Sequence, residues 1–181
     1  MGDSIITLYH GSIHEFDNVD VLRGKPYKDF GVGFYTSKVQ SHAADLAKRN
    51  QQIELRRAKL HNIDIKLSAW IYIYEFDLNA LKGLKVKEFK TADVDWVKFI
   101  VQNRTSKNHQ HDYDIVIGPT ADDQTLITVQ AYLAGLYGNL DDDRAIQTFL
   151  ELIEPQKLPA QIYFGTQKAA ESLAFKERSR L

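Results

Sequence analysis

Cysteine is absent from this 181-residue chain, and with it go disulfide staples, thiolate nucleophiles and zinc–thiolate centres. Excess charge is absent too. Lysine and arginine number 23 against 24 acidic residues, a formal net charge of −1, so no global field draws the chain to nucleic acid or an anionic membrane. Long apolar runs are missing: the longest, around Ala69 to Tyr74, is strand-sized, far short of a membrane span. The opening Met1-Gly2-Asp3-Ser4-Ile5-Ile6-Thr7 has neither the basic start nor the apolar core of a signal peptide. These absences lead us to expect a soluble, cytoplasmic protein with no membrane partner. No repeat, low-complexity tract or Pro/Gly linker divides the chain, so a single domain over residues 1–181 is expected. What is present is ordinary for a globular protein: 44% hydrophobic and 11% aromatic residues, enough to bury a core.

Patterning predicts a first strand at Ile5–Tyr9, stopped by Gly11-Ser12, and a Gly/Pro/Asp-rich loop from Leu22 to Gly33. A short strand, Phe34–Thr36, follows, with Ser37 placed to cap a helix over roughly Val39–His61. That helix has an apolar stripe, Ala43, Ala44, Leu46 and Ala47, which Ile53, Leu55 and Leu60 would continue. Its basic pairs Lys48-Arg49 and Arg56-Arg57 read most simply as the solvated face. Ala69–Phe76 is the strongest strand, apolar on both faces. Strands at Leu84–Lys87, Tyr113–Ile117 and Gln161–Phe164 are expected, with helices over Val94–Val101, Leu126–Tyr137, Arg144–Ile153 and Gln167–Phe175. Irregular alternation of this kind suits an α+β domain with a mixed, partly antiparallel sheet rather than a doubly wound one.

Two segments carry chemistry. In Tyr9-His10-Gly11-Ser12 a histidine ends a strand where side chains stop packing and begin to face a cleft, and the glycine lets a ligand approach the backbone. Taken alone, the tetrapeptide reads more simply as a strand ending in a turn. In Asp29-Phe30-Gly31-Val32-Gly33-Phe34-Tyr35-Thr36-Ser37, two glycines spaced by one residue run into an aromatic strand. Such a loop delivers Tyr35 where its ring can stack on a flat cationic ring. The Rossmann fingerprint is not met, since the third glycine is missing and no helix follows.

Together the two segments resemble the ADP-ribosyltransferase superfamily, in the His-Tyr-Glu branch of diphtheria toxin and the poly-ADP-ribose polymerases. They are more similar still to a family of stand-alone bacterial domains of unknown function within it. The likeness extends to Asn103-Arg104, to Asp112–Pro119 with Ala121-Asp122-Asp123, and to Gln161-Ile162-Tyr163-Phe164 with Lys168-Ala169 and Leu173. The resemblance implies a split mixed sheet and NAD as co-substrate without a metal. It implies that His10 holds a ribose hydroxyl, that the Gly11 backbone pairs with the nicotinamide carboxamide, and that Tyr35 stacks on the nicotinamide ring. Ser12, Gly33, Phe34 and Arg104 fall in the same implied binding surface. The implied activity is mono-ADP-ribosyl transfer to an unidentified macromolecule, protein or nucleic acid, by an effector or toxin-type enzyme with a cognate inhibitor protein.

The third position departs from the pattern. Where that branch has a Glu, this chain has Gln161 at the start of its strand. An amide can hydrogen-bond a ribose hydroxyl, but it has no negative charge and cannot act as a base. Gln161 is therefore the expected third site residue, with Glu151, Glu154 and Glu171 as acidic alternatives. Two further readings follow from the missing acid: a non-catalytic NAD- or nucleotide-binding module, and an NAD glycohydrolase. For Arg104 two partners stand open, an NAD phosphate or an internal carboxylate such as Asp114. Asp122-Asp123 is expected to cap a helix starting near Gln124, Asp141-Asp142-Asp143 to open another, and His109-x-His111 to be polar loop.

Overall fold

The computed structural model describes residues 4–107, 111–121, 123–153 and 158–181. Seven strands are β1 (Ile5–Ser12), β2 (Phe34–Ser37), β3 (Trp70–Asp77), β4 (Val86–Glu88), β5 (Ile115–Pro119), β6 (Ala160–Phe164) and β7 (Leu173–Arg180). The helices are α1 (Gln40–Leu60), α2 (Val94–Thr105), α3 (Asp123–Leu133), α4 (Asp143–Ile153) and the single turn α5 (Gln167–Ala170). The sheet runs β4-β5-β6-β2-β1-β3-β7. Only the β4–β5 pair is parallel; the other neighbours are antiparallel. This is an α+β domain with a mixed sheet and flanking helices, as the patterning implies.

Each face of the sheet carries its own core. On one face Val116 and Tyr163 meet Trp96, Val97 and Ile100 of α2 and Ile146 and Phe149 of α4. On the other, Leu8, Tyr72, Tyr74, Phe76 and Phe164 pack together with Ala169 and Ala170 of α5. The apolar alternation of β3 serves both faces: Ile71, Tyr72, Tyr74 and Phe76 are all buried.

Five expectations need correction. Gly11-Ser12 does not stop the first strand; β1 runs through both, which pair with Ile71 and Trp70 of β3. Ser37 does not cap α1; it is the last residue of β2, its Oγ accepts from the Val39 N–H at 3.0 Å, and α1 starts without a side-chain cap. The second half of α1 leaves Ile53, Leu55 and Leu60 exposed, because the buried residue there is Ala58. The helix begun at Asp123 ends at Leu133, not Tyr137, because Gly135 takes a φ of +75° and donates to Tyr132 O at 2.9 Å. The expected helix Gln167–Phe175 is one turn followed by β7, since Leu173 to Phe175 pair with Phe76 to Tyr74 of β3. Ala169, Ala170 and Leu173 mimic a helical stripe, but strand pairing overrides that local preference.

Among the described residues no helix is long and apolar enough to cross a membrane.

Candidate functional site

The sheet is nearly cut in two beside His10. β1 pairs with β3 along its whole length, from Ile5↔Asp77 to Ser12↔Trp70, and β2 pairs with β6 from Phe34↔Phe164 to Ser37↔Gln161. Between β1 and β2 the register holds Tyr9↔Ser37 and goes no further among the described residues. Both strands continue past that pair, so they part at His10. Beyond that pair the β1–β2 ladder is not continued among the described residues, and the Tyr35 carbonyl meets the His10 side chain.

His10 sits at the point of parting. Its Nδ1 lies 2.7 Å from the Tyr35 carbonyl oxygen. A carbonyl only accepts, so Nδ1 carries the proton and Nε2 is left as an acceptor. The imidazole stacks on Phe34 at 4.2 Å and 28°, with Phe16 edge-on at 5.8 Å. Burial pushes its pKa from 6.5 down to about 4, opposed in part by the bond to Tyr35. At neutral pH the ring is uncharged.

Tyr35 is brought to His10 through its backbone and not through its ring. By strand alternation Tyr35 shares a face with Tyr163, its partner on β6, while His10 lies on the face of Leu8, Phe34 and Tyr72. The Tyr35 ring is half-buried, edge-on to Tyr163 at 5.1 Å and parallel to Phe30 at 6.1 Å. Its hydroxyl accepts from Phe30 N–H (3.1 Å) and donates to Gly31 O (2.8 Å), and burial holds its pKa well above the ordinary tyrosine value. Only ring surface is therefore left to meet a ligand.

Gly11 has a packing reason of its own. A Cβ there would stand 1.9 Å from the backbone oxygen of Ala43, so α1 lies directly on this glycine. Gly33 is likewise covered: a Cβ would meet the Tyr163 ring at 2.2 Å. Ser12 Oγ accepts from His14 N–H at 3.0 Å and closes the turn after β1. Gln161 is the second residue of β6, which Ala160 opens one residue earlier than expected; it is half-buried, between Ser37 of β2 and Gly118 of β5. Alternation puts it on the Tyr35 face. Glu151 and Glu171 are exposed on α4 and after α5; Glu154 lies outside the described residues.

Arg104 is settled on an internal carboxylate, and it is Asp29 rather than Asp114. The Nε–Oδ1 distance is 2.5 Å, and both side chains are buried, 15% and 5% exposed. Asp29 Oδ2 also accepts from Ala121 N–H at 2.8 Å. Asp114 instead accepts from Thr166 Oγ1 and Lys85 N–H. His111, expected to be idle loop, has a structural part: Nε2 donates to Phe30 O at 2.9 Å, and Nδ1 accepts from Tyr113 N–H at 3.2 Å. Tyr163 Oη donates to Val32 O at 2.7 Å. The loop from Asp29 to Tyr35 is thus tied down along its length. His109 and Asp122 lie outside the described residues. Asp29, His111 and Tyr163 stand inside segments that the sequence singled out, but without a site role of their own; their signal is only that they accompany the glycine loop, β5 and β6.

Two open clefts lie away from the parted strands. One of about 430 Å³ is lined by Leu55, Ala58 and Asn62–Ile65 at the end of α1, the other, of about 580 Å³, by Val19–Leu22 and Gly165–Gln167. Among the described residues no group of three or more His, Asp and Glu side chains is placed to hold a metal ion. A family model described as "Protein of unknown function (DUF3990)" matches residues 6–175. No curated protein and no solved structure matches the chain.

Proposed function

We propose that this chain, which belongs to the DUF3990 family, binds NAD where β1 and β2 part and transfers its ADP-ribosyl group to a macromolecular acceptor. The observation that carries the reading is the state of His10: a neutral imidazole, donating through Nδ1 to the opposite strand and leaving Nε2 as an acceptor where the β1–β2 ladder ends. Nε2 would accept from a ribose hydroxyl. The Gly11 backbone would pair with the planar nicotinamide amide, and the Tyr35 ring would pack on the nicotinamide. The motif resemblance to ADP-ribosyltransferases supports the same arrangement, including their split sheet and their His-Tyr pair.

In this reaction the bond between the ribose C1′ and the nicotinamide ring nitrogen breaks, and its electron pair leaves with nicotinamide. The sugar develops oxocarbenium charge; the acceptor's lone pair then bonds to C1′ and the acceptor loses a proton. An uncharged His10 adds no positive charge beside that cation, whereas an imidazolium would raise the barrier. Gln161 can hold a ribose hydroxyl but cannot take the acceptor's proton. The acceptor is then one that is already nucleophilic, and polymer elongation is not expected.

The amide at position 161 also favours a second reading, a binding module that holds NAD without cleaving it. Incubation with adenylate-labelled NAD and cell extract separates the readings. Label on a macromolecule supports transfer, and its loss in His10→Ala ties transfer to this site. Free ADP-ribose alone indicates hydrolysis. Binding without nicotinamide release indicates the module, and neither binding nor release overturns the NAD reading.

A further inference from the structure

We infer that Phe16 and Arg178 are positioning residues for His10, joined to it through Tyr72. The role rests on the reading of His10 as the residue that holds the ribose.

Strand register lines up His10 of β1, Tyr72 of β3 and Arg178 of β7 as cross-strand neighbours on one face of the sheet. Over this row folds the segment after β1. His14, Glu15 and Asp17 are exposed and Phe16 is half-buried. An exposed segment of this kind would ordinarily be loosely held, yet it is anchored repeatedly. Phe16 N–H donates to Tyr72 Oη at 2.8 Å, and Tyr72 Oη donates to His14 O at 3.3 Å. Arg178 Nη1 donates to Phe16 O at 2.9 Å and to Asp17 Oδ1 at 2.8 Å, while its Nη2 pairs with Glu15 Oε1 at 2.8 Å. The planar guanidinium suits this use, since it reaches a carbonyl and two carboxylates in one fixed geometry.

The anchors converge on the placement of one ring. Phe16 lies flat on Tyr72, 4.1 Å and 10°, and turns toward His10 at 5.8 Å and 70° and toward Phe34 at 6.2 Å and 88°. His10 is thereby walled by Phe34 on one face and Phe16 beside it, with Tyr35 O fixing Nδ1. Remove the Phe16 wall and water reaches the imidazole. The ring then rotates more freely, exchanges tautomers and gains a proton more easily. The titratable groups that face this segment are Tyr72, Arg178, Glu15 and Asp17.

The test is a pH titration of the His10 ring nitrogens by NMR in wild type, Arg178→Ala, Arg178→Lys, Phe16→Ala and Phe16→Leu. Wild type should show a single Nδ1–H tautomer with a midpoint near 4. Arg178→Ala and Phe16→Ala should move the midpoint up by about one pH unit or more and mix the tautomers. Both should also weaken NAD binding by about tenfold. Arg178→Lys keeps the charge and should fall between wild type and Arg178→Ala. A purely structural role would lower the melting temperature and leave tautomer and midpoint unchanged in the folded variants, which overturns the inference. If Arg178→Ala fails to fold, the Phe16→Leu titration decides by the same criterion. If the variants shift the His10 titration while wild type binds no NAD, the positioning role stands and the NAD reading falls.

Discussion

A methyl group at position 11 would stand 1.9 Å from the Ala43 carbonyl, a backbone atom that cannot step aside without moving α1. Gly11→Ala should therefore destabilise the fold by about 1–3 kcal/mol, read from the urea midpoint. An unchanged midpoint would show that α1 does not sit on β1 as described. His10 gives a prediction in pH. Its folded pKa, about 4, lies below the ordinary 6.5, so between these values the unfolded chain binds a proton that the folded chain refuses. Stability is held above pH 6.5 and declines as pH falls toward 4, by at most about 3 kcal/mol and by less to the extent that the half-buried ring is wetted. His10→Gln, which cannot titrate, should flatten that part of the curve in equilibrium unfolding from pH 4 to 7; an unaltered slope would assign the decline to other groups. His10 itself was legible in the sequence because His-Gly after an apolar run is a local pattern, although β1 runs on to Ser12 instead of ending there. Phe16 and Arg178 were not: 162 residues separate them, and only strand pairing through Tyr72 brings them together.

Among the elements, the glycine loop that precedes β2 is the one fixed by electrostatics. Arg104 at the end of α2 and Asp29 form a buried pair, which is costly to break one-sidedly because it leaves a charge without a partner. Arg104→Met should cost about 3–5 kcal/mol of stability, and the double variant Asp29→Asn with Arg104→Met should recover a substantial part of it. Strict additivity in that double-mutant cycle would mean the two side chains do not depend on one another. The sequence placed Arg104 at a helix end and offered an internal carboxylate as its partner, yet named Asp114. Which acid lies within reach of an arginine is a tertiary fact, and Asp114 is taken up by β4 and Thr166. The two helix errors have a similar origin. The stripe expected to run on through Ile53, Leu55 and Leu60 is exposed because that half of α1 turns Ala58 inward instead, and β7 takes its strand form from β3 rather than from its own composition.

For the molecule as a whole, the seven-stranded sheet narrows to the single Tyr9↔Ser37 pair between β2 and β1, with the candidate site beside it. An α+β class with a mixed sheet was readable from the spacing of strands and helices; a split in that sheet was implied only by the resemblance, because register between strands is set by long-range pairing. Gln161 belongs to this scale, since it lies near the start of β6, beside β2 and on the face of Tyr35. If position 161 is the missing acid, Gln161→Glu should raise nicotinamide release from NAD by about a hundredfold, the low end of what a positioned general base contributes. No change would remove position 161 from the chemistry. The most direct measurement is a titration of isotope-labelled protein with NAD, following the Gly11 amide and the His10 ring nitrogens by NMR. NAD binding at the parted strands predicts saturable shifts at both, with His10 remaining neutral and Nδ1-protonated. Shifts confined to other residues, or none at saturating NAD, would contradict it.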